Sequence, residues 1–223
     1  MAALLLAALL LTQDGELDRI LQRFAERRTK AADEAQFERL VADTRTELES
    51  FLKANPSHKD APRAAFHVVE TYLSGENPDA AREKILGFLR DHPTSEHAAP
   101  ARFALGELCL RKEDDAGARA AFEEFVKLHP GDERALFAKI YAALALQNEG
   151  KYDEAALRLQ AARADHPDRR ESWGAQIQRS IVYHLQEKNA EARRLLEEVV
   201  RDCPDAMPVE MARRHLAGYL RAG

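Results

Sequence analysis

The chain has 223 residues, of which 32% are charged, with a formal net charge of −5, ten glycines, nine prolines and two cysteines. Lys and Arg are interspersed with Asp and Glu and form no long basic run, so a phosphate backbone would meet no electrostatic footprint, which argues against nucleic acid as a partner. Two cysteines cannot staple a miniprotein, and a composition led by Ala, Leu, Glu and Arg, poor in Val and Ile, predicts an all-α protein of solvated helices with narrow apolar stripes.

Residues 1–12 are the one sharp break in composition: MAALLLAALLL runs from Met1 to Leu11 and gives way at once to Thr12, Gln13, Asp14 and Gly15. An apolar run of that length suits a signal-peptide h-region and is too short to span a bilayer. It predicts export to the periplasm or cell envelope, with a mature chain beginning near Gln13 and membrane contact only through this segment. No Lys or Arg precedes the run, no A-x-A site closes it, and no cysteine follows that could carry a lipid. The competing reading is an apolar first helix packed on the rest of a cytoplasmic chain.

Residues 13–56 read as a divergent helix pair, near 15–30 and 34–54, and 57–223 as a regular array. Its helices are predicted near 60–74, 77–91, 97–112, 114–129, 132–149, 152–165, 169–187 and 189–202, closed by 207–221. Asp60 with Pro62, and Glu96 with Pro100, mark helix entries where proline loses no intrahelical N–H partner. The turns SGENPDAA, RKEDDAGA, NEGKYDEA and QEKNAEA separate the helices of each pair. The last helix has no partner in its pair and is expected to cap the final apolar face.

Five prolines, Pro56, Pro93, Pro130, Pro167 and Pro204, stand 37 residues apart in all four intervals. Each closes a related word: FLKANP, FLRDHP, FVKLHP, AARADHP and VVRDCP. One supersecondary unit is therefore repeated, and in such arrays each unit packs only on its neighbours. Eight residues after each proline comes Ala64, Ala101, Ala138, Ala175 or Ala212. Thirteen after stand Val69, Gly106, Ala143, Ser180 and Ala217, and twelve before each later proline stand Ala81, Ala118, Ala155 and Ala192. Large residues fill complementary slots, Tyr72, Cys109, Leu146 and Tyr183 in first helices, Ile85, Phe122, Leu159 and Leu196 in second helices. Small against large at fixed offsets lets helix pairs interdigitate without voids.

NEGKYDEAALRLQAARADHP, from Asn148 to Pro167, resembles the second half of a tetratricopeptide repeat, with Gly150, Tyr152, Ala155, Ala162 and Pro167 in the expected slots. Phe103, Leu105, Gly106, Ala118, Phe122 and Pro130 give a second match, and the resemblance covers roughly Ala61 to Leu220. The family period is 34, and the surplus three residues lie between the proline and the next first helix. With that longer period the repeats are similar to those of the bacterial outer-membrane assembly lipoprotein and the Tol-Pal coordinator, both non-catalytic adaptors. This chain lacks their lipobox cysteine and N-terminal coiled coil. The resemblance implies a right-handed superhelical solenoid of antiparallel helix pairs, about five repeats plus a capping helix, whose first helices line a concave groove.

Mapped onto this chain, the groove positions are Arg63, Phe66, Glu70, Pro100, Phe103, Glu107, Phe137, Ile140, Leu144, Gln147, Ile177, Ile181 and His184. Such a lining suits an extended segment or helix of a protein partner. Phe66, Phe103, Ile140 and Ile177 share one offset and are read equally well as core. The residues favoured as the partner-binding groove are therefore Arg63, Glu70, Pro100, Glu107, Phe137, Gln147 and His184.

Catalytic and metal chemistry find no support. His92, His129 and His166 each precede a repeat proline, so successive imidazoles are displaced by one unit and cannot converge on an ion. They read instead as polar residues facing the last carbonyls of a helix. Neither H-E-x-x-H nor a paired-cysteine spacing occurs, nor G-x-S-x-G, a phosphate loop or a dinucleotide pattern, so no enzyme activity, cofactor or metal is assigned. Cys109 and Cys203 lie several helices apart, with helices packing about 8–10 Å from one another, beyond the ~7 Å reach of a disulfide. Trp173, at a helix start, reads first as a core residue and second as a peptide anchor. The leading function is a non-catalytic scaffold binding a protein partner. The alternatives are the repeat portion of a longer envelope or thioredoxin-like redox protein, and an accessory subunit of an enzyme complex.

Overall fold

The computed structural model describes residues 15–221, and the apolar segment 1–12 lies outside them. Among the described residues there are eleven α-helices and no strand: α1 Glu16–Arg28, α2 Glu34–Ala54, α3 Ala61–Leu73, α4 Pro78–Asp91, α5 Ala98–Arg111, α6 Asp115–Leu128, α7 Ala135–Asn148, α8 Tyr152–Asp165, α9 Ser172–Leu185, α10 Asn189–Asp202 and α11 Ala206–Arg221. No helix among them is long and apolar enough to cross a membrane. The chain divides into two packed units, Met1–Ala101 and Arg102–Gly223, with the division inside α5. In the first, α1 to α4 each pack on the next. In the second, α6 to α11 do the same, and the first helices α7, α9 and α11 also touch in succession.

Each second helix stops where its proline dictates. A residue before proline is pushed out of the α region, and Asn55, His92, His129 and His166 share one non-helical conformation, φ −131 to −133° and ψ 53 to 57°. The surplus residues of the long period then form one recurring double turn. The amide two after each proline donates to the carbonyl one before it, and the amide five after donates to the carbonyl two after. His58 to Asn55 and Ala61 to His58 are 3.1 and 2.9 Å, and Asp132 to His129 and Ala135 to Asp132 repeat those distances. Ser95, Ala98, Arg169 and Ser172 make the same bonds in the other two junctions. In the junction before α7, Asp132 also accepts from the Arg134 amide and guanidinium, at 2.9 and 2.8 Å, which lowers its carboxyl pKa to about 2.

The histidines before the prolines differ from expectation. Only Asn55 turns its side chain to the last carbonyls, its Nδ2 donating to Phe51 O at 3.0 Å. His92 and His129 tilt instead against Phe88 and Phe125, one helical turn back, at 5.3 and 5.4 Å between centroids. Burial pushes the pKa of His129 and of His166 below the ordinary imidazole value, and the cations Arg102 and Lys139, respectively, push the same way. A packed ring disfavours the charged form that the helix C-terminus would attract.

Turns within the pairs follow a second rule. Glu113, Gly150 and Glu187 all stand twenty residues after a repeat proline, and all have positive φ, 57, 75 and 60°. Each is followed by an amide that closes the helix end in a six-residue Schellman pattern: Asp114 N to Cys109 O, Lys151 N to Leu146 O and Lys188 N to Tyr183 O, each 2.9 Å. Gly150 adopts this conformation without cost, whereas a side chain there costs about 1 kcal/mol. Glu113→Gly and Glu187→Gly are each expected to raise stability by roughly 0.5–1 kcal/mol in urea titrations, net of the unfolded-chain entropy of glycine. No change, or a loss, would show that these turns are held by other forces.

The core is the small-against-large frame. Ala64, Ala101, Ala138, Ala175 and Ala212 are all fully buried, as are Ala118, Ala155 and Ala192 in second helices. Phe122, Leu159 and Leu196 are buried completely opposite them. The frame is tight at Gly106, where an added Cβ would come within 2.6 Å of the Phe122 ring. In the second unit Leu136, Ala143, Leu146, Ala155, Leu159, Ala175 and Val182 form one cluster. The capping role of α11 is visible beside it: Ala212, Val209 and Leu216 cover Ile177, Leu196 and Val199, and Trp173 packs there too, with Arg163 4.0 Å above its ring. Ala217 is exposed, since no second helix follows α11 among the described residues. Cys109 and Cys203 are both buried and form no disulfide.

Candidate protein-interaction face

Along the first helices α3, α5, α7 and α9, residues eight and thirteen after the proline enter the core, and those at seven, eleven, fourteen and seventeen form the opposite side. In the first unit that side carries charge. Arg63 Nη1 donates to Asp18 Oδ1 of α1 at 2.8 Å, and His67 Nδ1 meets Glu70 Oε2 at 2.6 Å. Each pair has at least one half-exposed or more exposed carboxylate, Asp18 or Glu70, so the pairs contribute little to folding. Pro100, partly buried, occupies the same offset on α5 as Arg63 does on α3.

In the second unit, past Glu107 of α5, the face becomes apolar. Glu107 is exposed on α5, its pKa raised by desolvation and held back by Arg111 and Arg134. Phe137 of α7 is half-buried, with Arg169 6.0 Å over its ring. Gln178 of α9 donates to Gln147 of α7 at 2.8 Å, tying the two first helices together. His184 is exposed and its Nδ1 lies 2.7 Å from Asn189 Oδ1. The predicted residues thus fall into two sets, Arg63, Glu70 and Pro100 in one unit, Glu107, Phe137, Gln147 and His184 in the other.

Four of the apolar candidates belong to the core. Phe66 stacks on His97 at 4.9 Å and 8°, Phe103 meets Phe122 and Phe125 edge-on at 5.4 Å, Ile177 lies in the α9–α11 cluster and Ile140 packs on the α7–α8 cluster. The offset one residue later supplies face residues that sequence reasoning passed over, Tyr141 and Gln178. Met211 was also passed over, although it shares the offset of Arg63, Pro100, Phe137 and Gly174.

A different surface lies on the second-helix side. Between α2 and α4 a cavity of about 340 Å³ is lined by Leu52, Val68 and Phe88, with Glu49 and Lys84 4.0 Å apart across it. Two periods later, between α6 and α8, a cavity of about 230 Å³ is lined by Val126, Ala142 and Ala162, with Glu123 and Arg158 at 2.6 Å. Their charges already pair with one another. Among the described residues no group of three or more His, Cys, Asp and Glu gathers as a metal site would require.

A family model described as the tetratricopeptide repeat matches residues 69–133 and 140–206. Comparison with curated proteins finds no match. Among solved structures, a crystal structure of MamA is similar at 16% identity and a TM-score of 0.62, over 84% of this chain and 92% of that one. Nearly identical TPR-like repeats of a Podosopora anserina kinesin light chain align at 16% identity and a TM-score of 0.59, over 74% and 88%. YrrB, described as a TPR protein with an unusual peptide-binding site, aligns at 19% identity and a TM-score of 0.57, over 87% and 97%. At these identities the structural likeness speaks for the fold alone. The family match covers more than half of the sequence and runs through the array of helix pairs that the repeat prolines punctuate, and the chain therefore belongs to the tetratricopeptide-repeat family.

Proposed function

We propose that the protein is a non-catalytic interaction scaffold of the cell envelope that holds a peptide or helix of a partner protein against its first-helix face. One observation carries this reading. At seven residues after the proline stand Arg63, Pro100, Phe137, Gly174 and Met211, whereas the next position is a fully buried alanine in every unit. A surface that varies over a constant frame can read a partner that does not repeat. The peptide-binding site named for YrrB supports the same use of the fold. The envelope assignment rests on the Met1–Leu11 run and on the likeness of the 37-residue repeats to those of envelope adaptors. N-terminal sequencing of the envelope fraction checks it: an intact chain in the cytosol alone would contradict export.

The face is tested by reversing Arg63, Glu70 and Glu107 together. Capture of the partner from envelope extract, identified by mass spectrometry and then measured with the purified partner, is expected to weaken by about 1–2 kcal/mol. Because the pairs of Arg63 and Glu70 are exposed, Tm is expected to stay within about 2 °C. Normal capture by this variant, with loss on substitution of Glu123 and Arg158, would move the site to the second-helix side.

A further inference from the structure

On α7 and α9 of the second unit the first-helix face carries Phe137, Gly174, Leu144 and Ile181 at the offsets where Arg63 and Glu70 stand in the first unit. The helix α7 carries a single side chain charged at neutral pH, Lys139, and this turns away to Asp165 of α8 at 2.7 Å. The only Arg of α9, Arg179, donates to Tyr183 OH at 2.9 Å on the core side. Large apolar side chains remain open instead: Leu185 is 46%, Met207 64% and Met211 44% exposed, on the last two first helices. Between Phe137 and Met211, at the same offset on the intervening helix, stands Gly174, and an added Cβ there would meet nothing within 4 Å. The three first helices lie side by side, so the bare position is a notch in an apolar strip. On α11, Arg214, one turn after Met211, is turned to Glu210 at 3.1 Å.

We infer that the second unit takes the apolar face of an amphipathic helix of a partner protein, with one bulky side chain seated over Gly174. This deepens the proposed function and rests on the first-helix face being the binding side. The chemistry follows from what each alternative would leave behind. A charged segment laid on this strip would lose its hydration and meet at its edge only Arg169, which is already paired with Glu171 at 3.4 Å and bonded to Glu133 O at 2.8 Å, so its desolvation would go uncompensated. An apolar helix loses only unfavourable contact with water, and its anchor finds a pocket edged by an aromatic and by an adaptable thioether. The exposed methionines let the rim adjust to an anchor of uncertain shape, while α7 and α9 are fixed by their buried alanines.

The test uses fluorescence anisotropy with the full chain and three labelled synthetic helical peptides. They share a solvent face of alternating Glu and Lys and differ in a contact stripe of Leu and Phe, of Ser, or of Asp and Lys. The Leu/Phe peptide is expected to bind and the other two to fail. Gly174→Trp, which fills the notch, and Met211→Glu, which puts a charge at its edge, are each expected to weaken that binding roughly tenfold or more. Gly174→Ala, which leaves most of the notch open, should bind nearly as wild type with no loss in Tm. Equal binding of the Asp/Lys peptide, or unchanged Leu/Phe binding in both filled variants, overturns the inference. Sedimentation of the protein alone addresses another occupant: self-association that Gly174→Trp abolishes would make a second copy the ligand and overturn it too. If capture of the natural partner depends on Arg63, Glu70 and Glu107 while the Leu/Phe peptide is ignored, this inference fails and the proposed function stands. If capture maps to the second helices, the proposed function fails as well.

Discussion

Ala155→Arg is expected to cost at least about 4 kcal/mol and to abolish the cooperative melting of the second unit. Ala155 is completely buried on α8, within the cluster of Leu146, Leu159, Ala175 and Val182. A long cation has no exit from that position and no counter-charge within it, so the variant combines overpacking with an unpaired buried charge, each costly alone. Ala118→Arg on α6, equally buried, should behave in the same way. Leu157→Arg, two residues on along α8 but 66% exposed, is the control and should change stability by less than about 0.5 kcal/mol. Urea titration with circular dichroism reads all three. A midpoint for Ala155→Arg indistinguishable from wild type would refute the packing register on which the repeat assignment depends.

Gly106→Ala is expected to cost about 2–3 kcal/mol, against the usual gain when glycine is replaced in a helix. The new methyl would stand 2.6 Å from two atoms of the Phe122 ring, and Phe122 is wholly buried, wedged against Phe103 at 5.4 Å and Tyr141 at 5.4 Å. The ring cannot swing aside without disturbing both neighbours, so α5 must lift from α6. Replacing Phe122 by Leu removes the obstructing edge at the price of a cavity. In a double-mutant cycle the two changes should therefore compensate, the pair costing less than the sum by about 1 kcal/mol or more. Strict additivity would mean that Gly106 is not held at its position by this ring.

Helix positions were legible in the sequence because local rules set them. The geometry before Pro93 or Pro130 ends a helix whatever packs on it, and Asn77 and Asp114 cap α4 and α6 through bonds to Ala80 N and Gly117 N, three residues on. What depends on neighbours was less legible. Phe66, Phe103, Ile140 and Ile177 occupy a groove offset, yet they pack inward, where Phe66 meets His97 and Phe103 meets Phe122 and Phe125. The imidazoles of His92 and His129 looked like helix-end donors, but an aromatic ring one turn earlier claims them. At the turn offset, Gly150 announces its left-handed conformation, while Glu113 and Glu187 adopt it unannounced because the surrounding repeat requires it. The division inside α5 left no trace in composition. The charge of one unit's face and the apolar character of the other could be read residue by residue only after Tyr141, Gln178 and Met211 were placed.

Hydrogen exchange of the protein with and without its purified partner distinguishes the first-helix face from the second-helix side. Binding at the first-helix face predicts new protection in α3, α5, α7 and α9, strongest around Phe137, Leu144 and Ile181, with α4, α6, α8 and α10 exchanging as in the free protein. Protection confined to α4, α6, α8 and α10, around the cavities flanked by Glu49 and Lys84 or by Glu123 and Arg158, would contradict it.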